Sequence, residues 1–231
     1  MNRRIALLVA GMLAGCSSGE ATPVDLAQAA AATSVKLQSP TAVLEAEATS
    51  APAPAEPANL SLHMEAFEEG GAIPDRYTCI GTNDSPAVSW SGVPAATQSL
   101  VLIVYDADAG ADLGAGNDLG FLHWMVYDIP PTSAGLPLGA TGDSGALAGG
   151  IETTNDFFAA AGGRFSGGAV IRGTGYDGPC PPAQHTYVFR LLALSQPLSV
   201  PMDTPYQEVM SALEGRVLAA ADWTGVYPPS Q

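Results

Sequence analysis

Three apolar runs constrain this chain more than anything else in it: Ser99 to Tyr105, Phe121 to Ile129 and Thr186 to Leu194. Each is strand length, too short for a buried helix, and nearly unbroken, the pattern of central strands covered on both faces. Two further segments read as strands. Asn59 to Phe67 alternates, with Leu60, Leu62, Met64 and Ala66 on one side, and Ala87 to Trp90 lies between Ser85-Pro86 and Gly92-Val93-Pro94. The connections are full of Gly, Pro, Asn and Asp, so the expected class is a mainly β, antiparallel β-sandwich.

One helix is expected near the C-terminus. Thr204 supplies the N-cap and Pro205 the first turn, and Val209, Leu213, Val217 and Leu218 share one face, which places Arg216 inside the helix. Asp222 to Val226 then forms a short closing strand. The glycine-rich stretch 139–173, with Asn155-Asp156-Phe157-Phe158 inside it, is the least regular part of the domain. It reads either as a lid beside a site or as a disordered insertion.

The N-terminus has the pattern of an export signal: Arg3 and Arg4, then an apolar run from Ile5 to Leu13 that is too short to span a bilayer. The run ends in Leu13-Ala14-Gly15-Cys16, which resembles the lipobox of bacterial lipoproteins. The expected organisation is a signal peptide over residues 1–15, a lipidated Cys16 opening a disordered Ala/Pro-rich tether over 16–58, and a folded domain over 59–231. More than one acyl chain on Cys16, each at ~0.8 kcal/mol per buried methylene, would anchor the protein stably to the cell envelope. In a Gram-negative cell that implies the outer membrane or its periplasmic face.

The folded part carries five arginines, no lysine and eighteen Asp or Glu, within a chain of net charge −15. Such a balance repels phosphate backbones and argues against nucleic acid as a partner, without excluding a small anion in a local pocket. With Cys16 assigned to lipid, Cys79 and Cys180 remain. A disulfide between them would close a loop worth about 4.7 kcal/mol at the upper end, and two free thiols are the alternative. No Cys or His spacing matches a metal site, and no cofactor motif is present.

Three short motifs end or begin the central runs: Tyr105-Asp106-Ala107-Asp108-Ala109, His123-Trp124-Met125-Val126, and Gly175-Tyr176-Asp177-Gly178-Pro179-Cys180-Pro181-Pro182 followed by His185-Thr186-Tyr187. In an extended chain Asp106 and Asp108 share a face, His123 shares one with Met125 and Tyr127, and His185 shares one with Tyr187. The chain has three histidines, and two of them lie in these motifs. A carboxylate beside an imidazole fixes its tautomer and favours its charged form, which offers N–H groups to an oxyanion. Taken singly, each of these residues is better read as a turn cap or a satisfied core histidine.

Together with Ile73-Pro74, Cys79-Ile80-Gly81, Ser85-Pro86-Ala87-Val88-Ser89-Trp90 and Ile129-Pro130, the order of these motifs resembles the phosphatidylethanolamine-binding protein family, the Raf kinase inhibitor-like proteins, and its bacterial branch in particular. The resemblance covers nearly all of 59–228. It implies a β-sandwich with a C-terminal helix and a pocket for phosphate, acetate or a phosphoethanolamine head group. Carried over residue by residue, that pocket comprises Asp106, Asp108, His123, Gly178, His185 and Tyr187, with Pro179 in its wall. Where the family usually reads Asp-Pro-Asp-Ala-Pro, this chain has Ala107 and Gly110, so the rim is expected to be less rigid.

The function expected from these residues is binding of a small anionic or zwitterionic ligand, with a regulatory role through it. A protein inhibitor that docks to a kinase or peptidase is the alternative. A hydrolase would need an activated nucleophile, and Ser166 in Arg164-Phe165-Ser166-Gly167-Gly168 fails the Gly-x-Ser-x-Gly pattern at its first position, so no catalytic residue is assigned.

Overall fold

Strand β4 (Ser99–Asp106) is buried along its whole length, and the rest of the domain is arranged around it. In the computed structural model, which describes residues 59–109, 120–141, 146–147 and 149–227, β4 lies between β5 (Phe121–Ile129) and β9 (His185–Leu194), antiparallel to both. These three strands are the three apolar runs. The signal peptide, Cys16 and the tether over 16–58 lie outside the described residues.

Beyond β9 the sheet continues to β10 (Val217–Tyr227) and then to β2 (Gly71–Ala72), which pairs with β10 in parallel. Beyond β5 it continues to β8 (Gly150–Glu152) and β7 (Ala146–Leu147). The order of this seven-stranded sheet is β2-β10-β9-β4-β5-β8-β7. A second, three-stranded sheet has β3 (Val88–Ser91) between β1 (Ser61–His63) and β6 (Gly135–Leu136).

Alternation along β4 sends its side chains into two cores. Leu100, Leu102 and Val104 face the small sheet and join Leu62, Met64, Val88 and Trp90, which makes the sandwich core. Val101, Ile103 and Tyr105 face the other way, onto Leu198, Tyr206, Val209 and Leu213. Burial on both faces is why these strands lack polar alternation.

The helix is shorter than its apolar spacing predicts. Helix α1 covers Tyr206–Ala212, its N-cap position is Pro205, and no side chain caps it, so Thr204 does not have that role. Gly215 sits in the left-handed region at φ 71° and turns the chain out of the helix. Val217 and Leu218 therefore open β10 instead of extending the helical face, and Arg216 lies in the turn, where its N–H donates to Leu213 O. The closing strand is correspondingly longer than Asp222 to Val226.

Most of the 139–173 stretch is described, and those parts are folded against the domain. Beside β7 and β8 the described part holds a 3-10 turn, Phe158–Ala160, and Phe165 and Ile171 pack on Cys79. Cys79 and Cys180 form the expected disulfide, with Cα atoms 5.3 Å apart. Among the described residues no helix is long and apolar enough to cross a membrane.

Candidate ligand-binding site

His123 is positioned by a β-bulge. Val104 pairs with Trp124 and Tyr105 with Leu122, so the register skips His123 and leaves it as the extra residue of β5. Leu122 then packs with Met125 and Tyr127 on the helix side of the sheet, whereas the His123 ring meets Tyr187, 5.2 Å between centroids, on the sandwich side. The shared face with Met125 and Tyr127 predicted from strict alternation is thus lost to the bulge. Its effect is to bring an imidazole from β5 beside a phenol from β9.

Nδ1 of His123 donates a hydrogen bond of 2.5 Å to the backbone oxygen of Asp177. That bond places the proton on Nδ1 and leaves Nε2 as the unprotonated ring nitrogen. Burial pushes the imidazole's pKa down, and the bond to Asp177 and the nearby carboxylates of Asp106, Asp177 and Asp156 oppose this only in part. His123 is therefore a neutral ring with an acceptor nitrogen.

Asp106, at the end of β4, is buried, and every bond it makes organises its surroundings. Its Oδ1 accepts the backbone N–H groups of Asp108 and Ala109, both at 2.9 Å, which turns the chain out of the strand. Its Oδ2 accepts Nδ1–H of His185 at 2.7 Å. Tyr187 also donates to this carboxylate. Burial, with the charge and hydrogen bond of Asp106, raises the phenol's pKa and keeps it protonated. One carboxylate thus orients an imidazole and a phenol that project from the same face of β9.

A pocket of about 100 Å³ opens over this group. Its floor is Asp106, His123, His185 and Tyr187, and its walls are Ala109, Phe121, Phe157 and the Cys180-Pro181-Pro182 turn. Such a volume holds several waters or a phosphate-sized group. The wall residue Phe157 comes from the 139–173 stretch and is wedged edge-on among Phe121, His123 and Phe165. Among the described residues no cluster of His, Cys, Asp and Glu is arranged to hold a metal.

Asp177, fully buried, ties that stretch to the pocket floor. Its carboxylate accepts from Asn83 and Asn155 side chains and from the backbone N–H groups of Arg172 and Gly173, while its own N–H donates to His123 O. The carbonyl that fixes the His123 tautomer is therefore itself fixed by the loop.

The sequence pattern described as phosphatidylethanolamine-binding protein matches residues 63–228 of this chain, well over half of it. The chain belongs to that family. A UPF0098 protein of Methanothermobacter thermautotrophicus is 39% identical over 171 residues, 73% of this chain and 98% of the relative. A Mycobacterium tuberculosis protein named as a lipoprotein, LppC, is 33% identical over 180 residues, 76% of this chain and 75% of the relative. Among solved structures, the phosphatidylethanolamine-binding protein homolog CT736 of Chlamydia trachomatis superposes with a TM-score of 0.60 at 32% identity, covering 75% of this chain and 99% of its own. E. coli YbcL, described as a new member of the mammalian phosphatidylethanolamine-binding protein family, gives 0.58 at 29%, covering 74% and 99%.

Within this phosphatidylethanolamine-binding protein fold, the residues singled out from sequence fall into two groups. Asp106, His123, His185 and Tyr187 converge on one pocket. Asp108, Gly178 and Pro179 do not line it. Asp108 is exposed, and its carboxylate accepts the Thr186 N–H at 2.6 Å, which pins the β4 exit to the start of β9. Gly178 is buried, its N–H already donates to Asn83 Oδ1, and the Pro179 oxygen accepts from Cys79 N–H. Phe121, Phe157, Pro181 and Pro182 enter the lining without having been singled out for it. The one sequence hint for Phe157 was its aromatic pair in an otherwise glycine- and alanine-rich stretch.

Proposed function

We propose that this member of the phosphatidylethanolamine-binding protein family is an exported, lipid-anchored binding protein whose pocket takes a small anion or the phosphate of a phosphoethanolamine-like head group. The carrying observation is the 2.7 Å bond from His185 Nδ1 to Asp106, made at the pocket floor beside His123 and Tyr187. With Nδ1 engaged, Nε2 of His185 is, among the described residues, the ring nitrogen left for a ligand.

Among the described residues no Lys or Arg lines the pocket, so the ligand's charge must be met by hydrogen-bonding groups without a fixed positive charge. Nε2 of neutral His123 accepts, and it matches the P–OH of a phosphate monoanion, while the His185 ring lies beside it for a further contact. Phosphate monoesters lose their second proton near pH 6, so binding is expected to weaken as pH rises above that value. Among the described residues the one sulfur in the lining belongs to a disulfide, which favours binding over nucleophilic chemistry. The relative named as a lipoprotein supports the anchor at Cys16, and the regulatory role would follow from occupancy of the pocket.

The test is titration of inorganic phosphate and O-phosphoethanolamine against the ring signals of His123 and His185 by NMR. Saturable shifts in both are expected, lost in Asp106→Asn and His123→Ala. Rings that do not respond at millimolar ligand and mildly acidic pH would remove the reading.

A further inference from the structure

The outer surface of the segment that supplies Phe157 differs from the rest of the domain. Phe158, the next residue, is 60% exposed, an unusual position for a phenylalanine, and Val170 and Ile80 are 46% and 36% exposed. The three belong to one small lobe. Gly162 and Gly163 pair with Ile171, and Arg164 bridges Val170. Gly167 lies so close to Ile80 that a Cβ would meet its Cα at 2.4 Å. The lobe's inner side packs Phe165 and Ile171 on the Cys79–Cys180 disulfide, with Phe157 and Cys180 continuing into the pocket wall.

Its charge is also different. From Phe157 to Tyr176 there are two arginines and no Asp or Glu, in a domain that otherwise carries a large acidic excess. Arg164 is exposed, and its guanidinium donates to Gly168 O. The remaining exposed surface between Ala159 and Gly168 is mostly alanine and glycine. A protein partner is usually met by large anchoring side chains and many directional hydrogen bonds, and this lobe has few of either. Isolated apolar side chains on a small-residue surface beside a guanidinium instead suit the interfacial layer of a bilayer, where apolar groups sink and arginine reaches phosphates.

We propose that this lobe settles onto a phospholipid surface, with Phe158, Val170 and Ile80 entering the interface, Arg164 among the phosphates, and the pocket mouth brought to the head groups. The acidic excess of the rest of the domain favours this face, which carries no Asp or Glu from 157 to 176, for contact with anionic lipid. The purpose of such docking rests on the head-group reading above; the docking itself does not.

The full chain carrying Cys16→Ser, so that no acyl chain contributes, is followed by hydrogen–deuterium exchange with mixed phosphatidylcholine and phosphatidylethanolamine vesicles. Slowed exchange is expected over 157–172 and around Ile80, and not over 61–70 or 206–218. Adding Phe158→Ser and Val170→Ser should remove that protection and lower vesicle partitioning by about tenfold or more, as burial of two apolar side chains implies. The same variant should keep its thermal midpoint and its response to soluble O-phosphoethanolamine, since neither residue lines the pocket. Unchanged exchange over 157–172, protection of another face only, or protection by a protein partner but not by vesicles would overturn the proposal. A chain that responds to soluble O-phosphoethanolamine but not to vesicles would fail here and leave the head-group reading standing. Vesicle protection without a soluble-ligand response would do the reverse.

Discussion

His185 and Asp106 form the organising pair of the pocket: Nδ1–H of the imidazole donates to Oδ2 at 2.7 Å, while Oδ1 of the same buried carboxylate accepts the amides that end β4. The Asp106 side chain thus couples the strand exit to the orientation of a ring on the neighbouring strand. Asp106→Asn keeps the size but replaces one acceptor by a donor facing Nδ1. Unfolding free energy in urea should fall by about 1–3 kcal/mol, the usual cost of spoiling a buried charge-assisted hydrogen bond. Phosphate affinity should fall with it. A variant as stable as the parent would mean that this bond is not a determinant of the local structure.

His123 predicts a pH dependence of stability. Burial holds its folded-state pKa below the unfolded value near 6.5, so the unfolded chain binds the proton more readily. The stabilising contribution of the neutral ring is fully present above about pH 6.5. It is lost as pH falls toward the folded-state pKa, by at most ~1.4 kcal/mol per pH unit. His123→Asn preserves an N–H donor for the Asp177 oxygen but does not titrate. Denaturant midpoints for the two proteins between pH 7 and 5 should therefore diverge, with the variant's curve the flatter. Parallel curves would place the acid sensitivity elsewhere.

Much of this architecture could be read from the amino-acid sequence because double burial writes itself into composition. The β4, β5 and β9 runs follow from it, whereas the gathering of Asp106, His123, His185 and Tyr187 was legible only through the order of their motifs and the family resemblance. The facing of His123 was not legible, because a bulge is an event between two strands and leaves no mark in the run that contains it. The helix end was hidden for a related reason: Val217 and Leu218 continue the helical spacing beyond Ala212, and only the left-handed backbone of Gly215 separates them from it. Phe157 reaches the pocket through contacts with Phe121 and Phe165, which lie far from one another in sequence, so local pattern could not place it.

The disulfide fastens both the lobe and the pocket wall. Cys79 and Cys180 are 101 residues apart, so reduction releases a long loop in the unfolded chain. Cys79→Ala combined with Cys180→Ala should cost about 2–4 kcal/mol, less than the ~4.7 of the entropy model because denatured chains retain structure. Since Cys180 and its two following prolines line the pocket, phosphate affinity should also drop in the double variant. Reduction and alkylation followed by mass measurement checks the bridge directly, and two alkylated thiols without prior reduction would disprove it.

Gly178 is glycine for want of space. A Cβ there would lie 2.0 Å from the Tyr77 backbone oxygen and 3.0 Å from Asn83 Oδ1, the acceptor of the Gly178 N–H. Backbone cannot yield as a flexible side chain can, so Gly178→Ala must push the 178–182 turn away from the Tyr77 segment. A loss of about 1–3 kcal/mol is expected from overpacking alone. The displaced turn carries Cys180, Pro181 and Pro182, so the ligand pocket should widen as well. A thermal scan and a phosphate titration separate the two effects. Lower stability with unchanged affinity would show that the turn's position matters to the fold and not to the site, whereas loss of both would place Gly178 among the residues that shape the pocket without touching its contents.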